Sequence, residues 1–350
     1  MKNINFCQDN HYISQGYLKR WECCASEIWV YNILVSHENV PLWAKKNIKG
    51  IAYHPHLYTQ KISGEESDEI EKWFSNEYES PAEGAIHKAV TDQHLTIDDW
   101  RKLVRFMALQ DTRTPARLIE HLRSSAESVP KILNKVLNDL PTKLVALKNS
   151  GDKVPTTMGK LASSFPLQVT TEIKKGEKFG TIKAETAVGR ASWIWSIRYL
   201  LENTANILHR HKWTIMRPAI GMNWITSDNP VVRLNYSMNG EYNFSGGWGR
   251  KGTELFLPLG PQHLLYTQVG YRPPIRGTRF SIENTRLIRR LIAEHAHRMV
   301  FSSFQDSDIP TFVSRKVNSE FFKYEKEQWD NWPDEQNKSE ANLLSKQKNV

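Results

Sequence analysis

The sequence predicts an α+β fold, in which a helical middle segment packs on a mainly antiparallel β-sheet formed by N-terminal and C-terminal strands. Strand-like and helix-like patterns are segregated along the chain, which disfavours alternating βαβ units. Strand patterns occupy residues 11–35 and 213–270, and helical periodicity occupies residues 67–148 and 185–208. The helices should therefore cover one face of a sheet that joins the two ends of the chain.

The N-terminal strands are predicted from residue type. The run Glu27-Ile28-Trp29-Val30-Tyr31 combines aromatic and β-branched residues, which favour strands. A second extended region is expected over residues 48–58.

Helix starts in the middle segment are marked by capping residues and prolines. Apolar residues recur at three- and four-residue spacing over residues 67–90, and Pro81 should kink or divide that helix. Thr96 is the expected cap of the next helix. Thr114-Pro115 predicts a fresh start, because proline suits the first helical position, and Pro130 predicts another.

The C-terminal half is predicted to be mostly strands, followed by one helix over residues 281–298 and a returning strand at 300–303. The expected strands are 213–217, 222–226, 231–234, 241–244, 254–257 and 263–269. We assign residues 1–318 to a single domain. Residues 319–350 are charged and polar and are expected to form a partly disordered tail.

Composition favours an intracellular protein with an anionic partner. The 350 residues carry a formal charge of +9, which favours polyanionic partners such as nucleic acid, although a moderate basic excess also serves solubility. Three cysteines, two of them adjacent, form no disulfide framework and read as reduced thiols. No signal peptide and no segment of membrane-spanning length is evident, so we expect a cytoplasmic location without a membrane partner.

A polar turn follows a short apolar strand at Trp224-Ile225-Thr226-Ser227-Asp228-Asn229-Pro230. Asn229 precedes a proline and is pushed toward extended backbone angles. The oxygens of Ser227 and Asp228 can accept hydrogen bonds from nearby backbone N–H groups. This turn would place a carboxylate at a strand end, where functional groups are common, but an ordinary tight turn uses the same residues.

Four stretches, in the same order, resemble the motifs of the DUF 4238 family (domain of unknown function 4238). They are His11-Tyr12-Ile13 with Tyr17-Leu18, Met107-Ala108-Leu109-Gln110 with Arg113-Thr114-Pro115, Thr226-Ser227-Asp228-Asn229-Pro230-Val231, and Phe256-Leu257-Pro258-Leu259. The resemblance covers residues 8–305 and implies a mostly bacterial, intracellular protein. Asn10 stands where relatives often carry a second histidine, so a metal-binding histidine pair would be half lost here.

Chemistry is expected from a scattered polar set, because phosphate-loop, zinc-protease, esterase and dinucleotide-binding motifs are missing. The candidate catalytic residues are His11, Glu83, Arg113 and Asp228, and the candidate binding residues are Tyr12, Gln110, Ser227 and Asn229. If they converge, they could support acid–base hydrolysis of phosphodiester bonds, with a divalent metal as a possible cofactor.

The alternative hypothesis is a non-catalytic module that binds nucleic acid or a protein partner through an Arg-, Lys- and Trp-rich surface. Each candidate also has a purely structural interpretation. His11 can be a hydrogen-bonded histidine near a strand, Gln110 and Arg113 can terminate a helix, and Arg113 can pair with Asp228. Clustering of His11, Glu83, Arg113 and Asp228 around one pocket would favour the enzyme.

Overall fold

The N-terminal and C-terminal strands meet in a shared antiparallel sheet, as the segregated sequence patterns predict. A computed structural model describes residues 9–62, 65–151, 165–172, 176, 180–237 and 239–348. Its strands are β1 Asp9–His11, β2 Glu27–Asn32, β3 Leu34–Val35, β4 Trp43–Asn47, β5 Tyr53–Pro55, β6 Gln60–Ile62, β7 Glu65–Ser67, β8 Leu167–Glu172, β9 Thr181–Thr186, β10 Thr214–Met216, β11 Thr226–Ser227, β12 Val232–Tyr236, β13 Tyr242–Asn243, β14 Glu254–Gly260, β15 His263–Gln268, β16 Met299–Ser302 and β17 Lys316–Val317.

The α-helices lie mainly between the two groups of strands. They are α1 Gln15–Leu18, α2 Glu69–Phe74, α3 Ser80–Val90, α4 Ile97–Thr112, α5 Pro115–Ser150, α6 Arg190–Tyr199, α7 Ile282–His295, α8 Ile309–Phe312 and α9 Ser319–Lys348. The α+β class predicted from the sequence is confirmed.

The shared sheet has the strand order β11-β16-β2-β4, and every pairing in it is antiparallel. Phe301 of β16 faces Val30 of β2 on one side and Thr226 of β11 on the other. A second antiparallel sheet has the order β10-β15-β14-β12-β13. Since β11 leads directly into β12, the polar turn at residues 227–230 connects the two sheets.

The core lies between the middle helices and these sheets. The apolar faces of α3 and α4 bury Ala85, Ile86, Leu103 and Met107, and α3 contacts β14. Helix α4 begins where expected, because the Thr96 hydroxyl accepts from the Asp99 N–H while the Asp99 carboxylate accepts from the Thr96 N–H.

Two predicted helix starts are wrong. Pro130 lies inside α5, which runs without interruption from residue 115 to 150. The helix expected from residue 185 begins at Arg190 instead. Residues 181–186 form strand β9, which pairs with β8 in a hairpin and so cannot belong to the helix. Pro81 falls at the start of α3, after a π-helical turn over residues 75–79 that separates α3 from α2.

Helix α9 occupies most of the segment that the sequence assigns to a polar tail. Its Asn337 and Glu340 accept hydrogen bonds from the guanidinium of Arg190, whose side chain is fully buried. Trp329 and Trp332 of the same helix pack against the core. These contacts hold α9 against the body of the protein.

Candidate functional site

The junction between α4 and α5 is an unusually polar stretch of buried chain. Gln110, Asp111, Thr112, Arg113 and Thr114 are all at most 6% exposed. Helix α4 ends at Thr112, and the Thr114 hydroxyl then caps α5 by accepting from the Arg117 N–H. Because buried polar groups require partners, these side chains form hydrogen bonds, Thr112 to carbonyl oxygens of its own helix and Asp111, Arg113 and Thr114 to more distant groups.

Arg113 is the centre of the first buried cluster. Its Nη2 donates to Glu79 Oε1 at 2.5 Å, and the Gln110 amide oxygen, turned toward the guanidinium, accepts from Nε at 3.2 Å and Nη2 at 2.7 Å. The guanidinium also lies over the Phe74 ring, 5.7 Å from its centroid. The Tyr58 hydroxyl donates to the Arg113 carbonyl oxygen. The cluster holds Arg113 rigidly against three side chains.

Glu71 belongs to this cluster, although sequence reasoning did not single it out. Burial raises the pKa of its carboxyl to about 7, and the nearby Arg113 charge only partly opposes that effect. Periodicity gives no signal for such a residue, because a glutamate on a helix is usually exposed.

Asp228 is the centre of the second cluster, and its partners are backbone groups. Its Oδ1 accepts from the His297 N–H at 2.8 Å, and its Oδ2 accepts from the N–H groups of Arg298 at 2.7 Å and Met299 at 3.0 Å. Burial raises the pKa of Asp228 to about 6 against these three donors. Asp228 therefore fixes the entry into β16, and Arg113 pairs with Glu79 rather than with Asp228.

Ser227 and Asn229 complete this turn. The Ser227 hydroxyl accepts from the Asn229 N–H at 3.2 Å, as expected for a turn residue. The Asn229 amide nitrogen lies 3.0 Å from His295 Nε2 and donates to the His295 carbonyl at 3.1 Å. Its amide oxygen accepts from the Thr114 hydroxyl at 3.1 Å, so Asn229 joins the turn to the α4–α5 junction.

The N-terminal candidates lie at different depths. Tyr12 is 6% exposed, and its pKa is raised well above the usual range by burial and then by the negative charge of Asp228, which places the two residues close together. His11 is half-buried, with Nε2 3.3 Å from the Lys49 carbonyl oxygen, and burial lowers its pKa. Glu83 is exposed on α3 and faces Gly16 of α1.

The eight candidates therefore occupy several different places in the fold. Ser227, Asp228 and Asn229 form the turn, and Tyr12 lies near Asp228. Gln110 and Arg113 belong to the first cluster, His11 is half-buried beside Lys49, and Glu83 is exposed. The part of the chain that the structure describes contains no group of three or more His, Cys, Asp or Glu side chains placed to hold a metal ion.

A cleft opens on the other side of the α4–α5 junction. Its volume is about 330 Å³, within the usual range for small-molecule sites. Apolar side chains from α6, from the segment that follows it and from the loop before β14 form much of the wall: Trp193, Ile197, Leu200, Ile207 and Trp248. Polar side chains from α4, α5 and β12 form the other part: Asp111, Thr112, Arg117, Glu120, His121 and Arg233.

Asp111 anchors the polar side of the cleft. Its Oδ1 accepts from Arg117 Nε at 3.0 Å and Nη2 at 2.5 Å, and its Oδ2 accepts from Trp248 Nε1 at 2.7 Å. Burial acts to raise the pKa of this carboxyl, but Arg117, Arg233 and the Trp248 hydrogen bond outweigh it and hold the pKa below its usual value. Asp111 thus stays ionised and holds Arg117 in place through two hydrogen bonds.

Glu120 lies at the mouth of the cleft between the two arginines. Its carboxylate accepts from Arg117 Nη1 at 2.5 Å and from Arg233 Nη2 at 3.3 Å, although the Glu120 side chain is 54% exposed. Arg233 Nε is buried and has no hydrogen-bond partner, with Asp111 Oδ1 at 3.7 Å. Asp111 therefore holds Arg117 from inside the protein, and the half-exposed Glu120 carboxylate contacts both arginines at the mouth of the cleft.

Sequence reasoning missed the cleft residues Asp111, Arg117, Arg233 and Trp248. The available signals were weak: Asp111 lies inside the motif that carries Gln110 and Arg113, and Trp248 lies in a glycine-rich loop. That loop approaches its neighbours closely, since a Cβ at Gly246 would lie 3.0 Å from the Arg233 carbonyl oxygen.

The fold and this cleft define an α+β protein with a buried polar junction beside a ligand-sized cavity. A family model described as "Protein of unknown function (DUF4238)" matches residues 9–306, and the chain belongs to this family. Searches of curated proteins and of solved structures give no match. Among the described residues, no helix combines the length and apolar character needed to cross a membrane.

Proposed function

We propose that the protein is a binding module for phosphate-bearing ligands that carry a planar ring, and that the cleft is its recognition site. The observation that carries the proposal is the convergence of Arg117 and Arg233 on one exposed carboxylate, Glu120. Arginine binds carboxylate and phosphate oxygens through parallel N–H donors, so a phosphate could replace the Glu120 carboxylate at this position.

The apolar wall of the cleft is the proposed contact surface for the planar ring of the ligand. Trp193 and Trp248 flank the cleft together with aliphatic side chains, and flat rings gain from contact with such surfaces. A nucleotide has both components, whether it is free or part of a single strand. The formal charge of +9 also favours approach of a polyanion.

The non-catalytic alternative fits the described geometry better than hydrolysis does. Asp111 and Asp228 are both buried and accept hydrogen bonds from protein groups on each oxygen. Neither is free to activate a water molecule. Phosphodiester hydrolysis, a divalent-metal cofactor, a cytoplasmic location and a bacterial origin stay predictions.

The test is isothermal titration calorimetry with inorganic phosphate, nucleoside monophosphates and short single-stranded oligonucleotides. We expect monophosphates to bind more tightly than inorganic phosphate, because only they reach the apolar wall. Tighter binding of the oligonucleotide than of the monophosphate would identify single strands as the source of the ligand, and the reverse would identify free nucleotides.

Matched variants locate the binding site. Glu120→Gln should tighten binding about fivefold, because a competing charge worth about 1 kcal/mol is removed from the arginines. Glu127→Gln, at an exposed position on the same helix, is the control. Arg233→Gln should weaken binding at least tenfold. Unchanged affinity in both Glu120→Gln and Arg233→Gln would refute the cleft as the site.

A cleavage assay on DNA and RNA, with and without divalent metal, tests the enzyme hypothesis on the same samples. Cleavage that Asp228→Asn abolishes without loss of the fold would revive hydrolysis and place Asp228 in the reaction. Absence of cleavage together with ligand binding would support the binding module.

A further inference from the structure

A pair of adjacent cysteines lies on the surface at the turn before β2. Cys24 is exposed, Cys23 is half-buried, and their sulfur atoms are 3.7 Å apart. The sequence identifies both as reduced thiols but gives no reason to expect their side chains to face each other, since neighbours in an extended strand point to opposite sides.

A tight backbone turn follows the two cysteines directly. Ala25 and Ser26 have φ values of 44° and 65°, in the left-handed region that residues other than glycine rarely adopt. The Glu27 N–H donates to the Cys24 carbonyl oxygen at 2.7 Å and closes the turn. Two-residue turns with both φ values positive usually contain Asn-Gly, so the backbone conformation of Ala25 and Ser26 costs free energy.

The two thiols have different surroundings. Lys45 Nζ lies 3.5 Å from Cys24 Sγ, and the carboxylate oxygen Oε2 of Glu27 lies 3.6 Å from the same sulfur. Cys23 Sγ donates to the Glu27 carbonyl oxygen at 3.3 Å, and burial raises the pKa of the Cys23 thiol. The Cys24 sulfur is therefore exposed between a cation and a carboxylate, and the Cys23 sulfur lies within reach of it.

We propose that Cys23 and Cys24 form a thiol–disulfide exchange site, with Cys24 as the attacking sulfur, Cys23 as the resolving sulfur and Lys45 as the residue that activates Cys24. The oxidant is a low-molecular-weight disulfide of the glutathione class. This site is separate from the cleft and does not depend on the proposed binding function.

The exchange balances in two steps. The Cys24 thiolate attacks one sulfur of the small disulfide, which forms a mixed disulfide and releases one thiolate. Cys23 then loses its proton to solvent and attacks the Cys24 sulfur, which expels the second small thiolate. Two protein thiols are oxidised to one disulfide, and the small disulfide is reduced to two thiols.

The product is expected to be readily reversible. Adjacent Cα atoms are about 3.8 Å apart, below the roughly 4.4–6.8 Å that relaxed disulfides span. Strained disulfides are the easily reduced ones, which suits a switch rather than a structural crosslink.

The test uses the folded full-length chain in a Cys7→Ser background, treated with glutathione disulfide and mapped by mass spectrometry after tryptic digestion. Trypsin cuts after Arg20 and Lys45, so one peptide carries both cysteines. We expect this peptide to lose two hydrogens and to regain them when reduced glutathione is added. Cys23→Ser should instead accumulate the mixed disulfide at Cys24.

The activating role of Lys45 is tested by rates. Lys45→Met should slow the reaction of Cys24 at least about twofold at neutral pH, because the cation beside the attacking sulfur is lost. Lys46→Met, at the next position of β4 and on the opposite face, should leave the rate unchanged. An unmodified peptide in excess oxidant, or a wild-type rate in Lys45→Met, would overturn the proposal.

Discussion

Replacing Asp228 by asparagine tests which of two opposing effects sets the pKa of this buried carboxyl. Burial disfavours the ionised form, whereas three backbone N–H donors from residues 297–299 favour it. The pKa of about 6 in the folded protein, against an ordinary value of 3.8, indicates that burial prevails.

This balance fixes the sign of a pH dependence. A carboxyl with a raised folded-state pKa holds its proton more tightly in the native protein, so its contribution to stability is greatest at low pH and is lost as the pH rises from 3.8 to about 6. A difference of about 2 pH units corresponds to about 3 kcal/mol. About 2 kcal/mol of that loss falls between pH 4.5 and pH 7.5.

Asparagine does not titrate, so the variant provides the reference. The free energy of unfolding should be measured by urea denaturation of wild type and Asp228→Asn across this pH range. We expect the stability of wild type relative to the variant to fall by about 2 kcal/mol as the pH rises. Asp98→Asn, at an exposed carboxylate, controls for the loss of a surface charge. A relative stability that rises with pH would refute the reasoning, because it would mean that the three N–H donors outweigh burial.

Three further substitutions or deletions test buried contacts that hold the fold together. Arg113→Met should cost about 3–5 kcal/mol in urea unfolding, since it leaves the partner carboxylate without its cation, and a smaller loss would show that water replaces the guanidinium. Gly246→Ala should cost about 1–3 kcal/mol and exceed the cost of Gly249→Ala, because a Cβ at Gly246 meets backbone while one at Gly249 meets only a flexible side-chain tip; equal melting temperatures would contradict this. Deleting residues 319–350 should lower the melting temperature, because Arg190 loses the partners that hold its buried charge, and an unchanged value would support an independent domain at residues 1–318.

Local signals in the sequence were sufficient for the fold class and for several helix boundaries. Thr96 and Thr114 cap α4 and α5 as predicted, and α7 begins directly after Ser281, because a cap depends on groups within three residues. Segregated periodicity gave the α+β class for the same reason. The prediction that a proline marks a helix start was wrong at Pro130, which lies inside α5.

The hydrogen-bond and ion-pair partners of the polar candidates could not be predicted from local sequence signals. Asp228 was correctly recognised as a turn residue at a strand end, yet its hydrogen-bond donors lie some 70 residues further along the chain. Arg113 was correctly placed at a helix end, but Glu79 on an earlier helical turn is its partner. The cleft combines the α4–α5 junction with α6, β12 and a glycine-rich loop, which lie far apart in the sequence. Periodicity and capping depend on neighbours within a few residues, whereas the partner of a buried charge depends on how distant segments align. Only the tertiary structure decides that alignment.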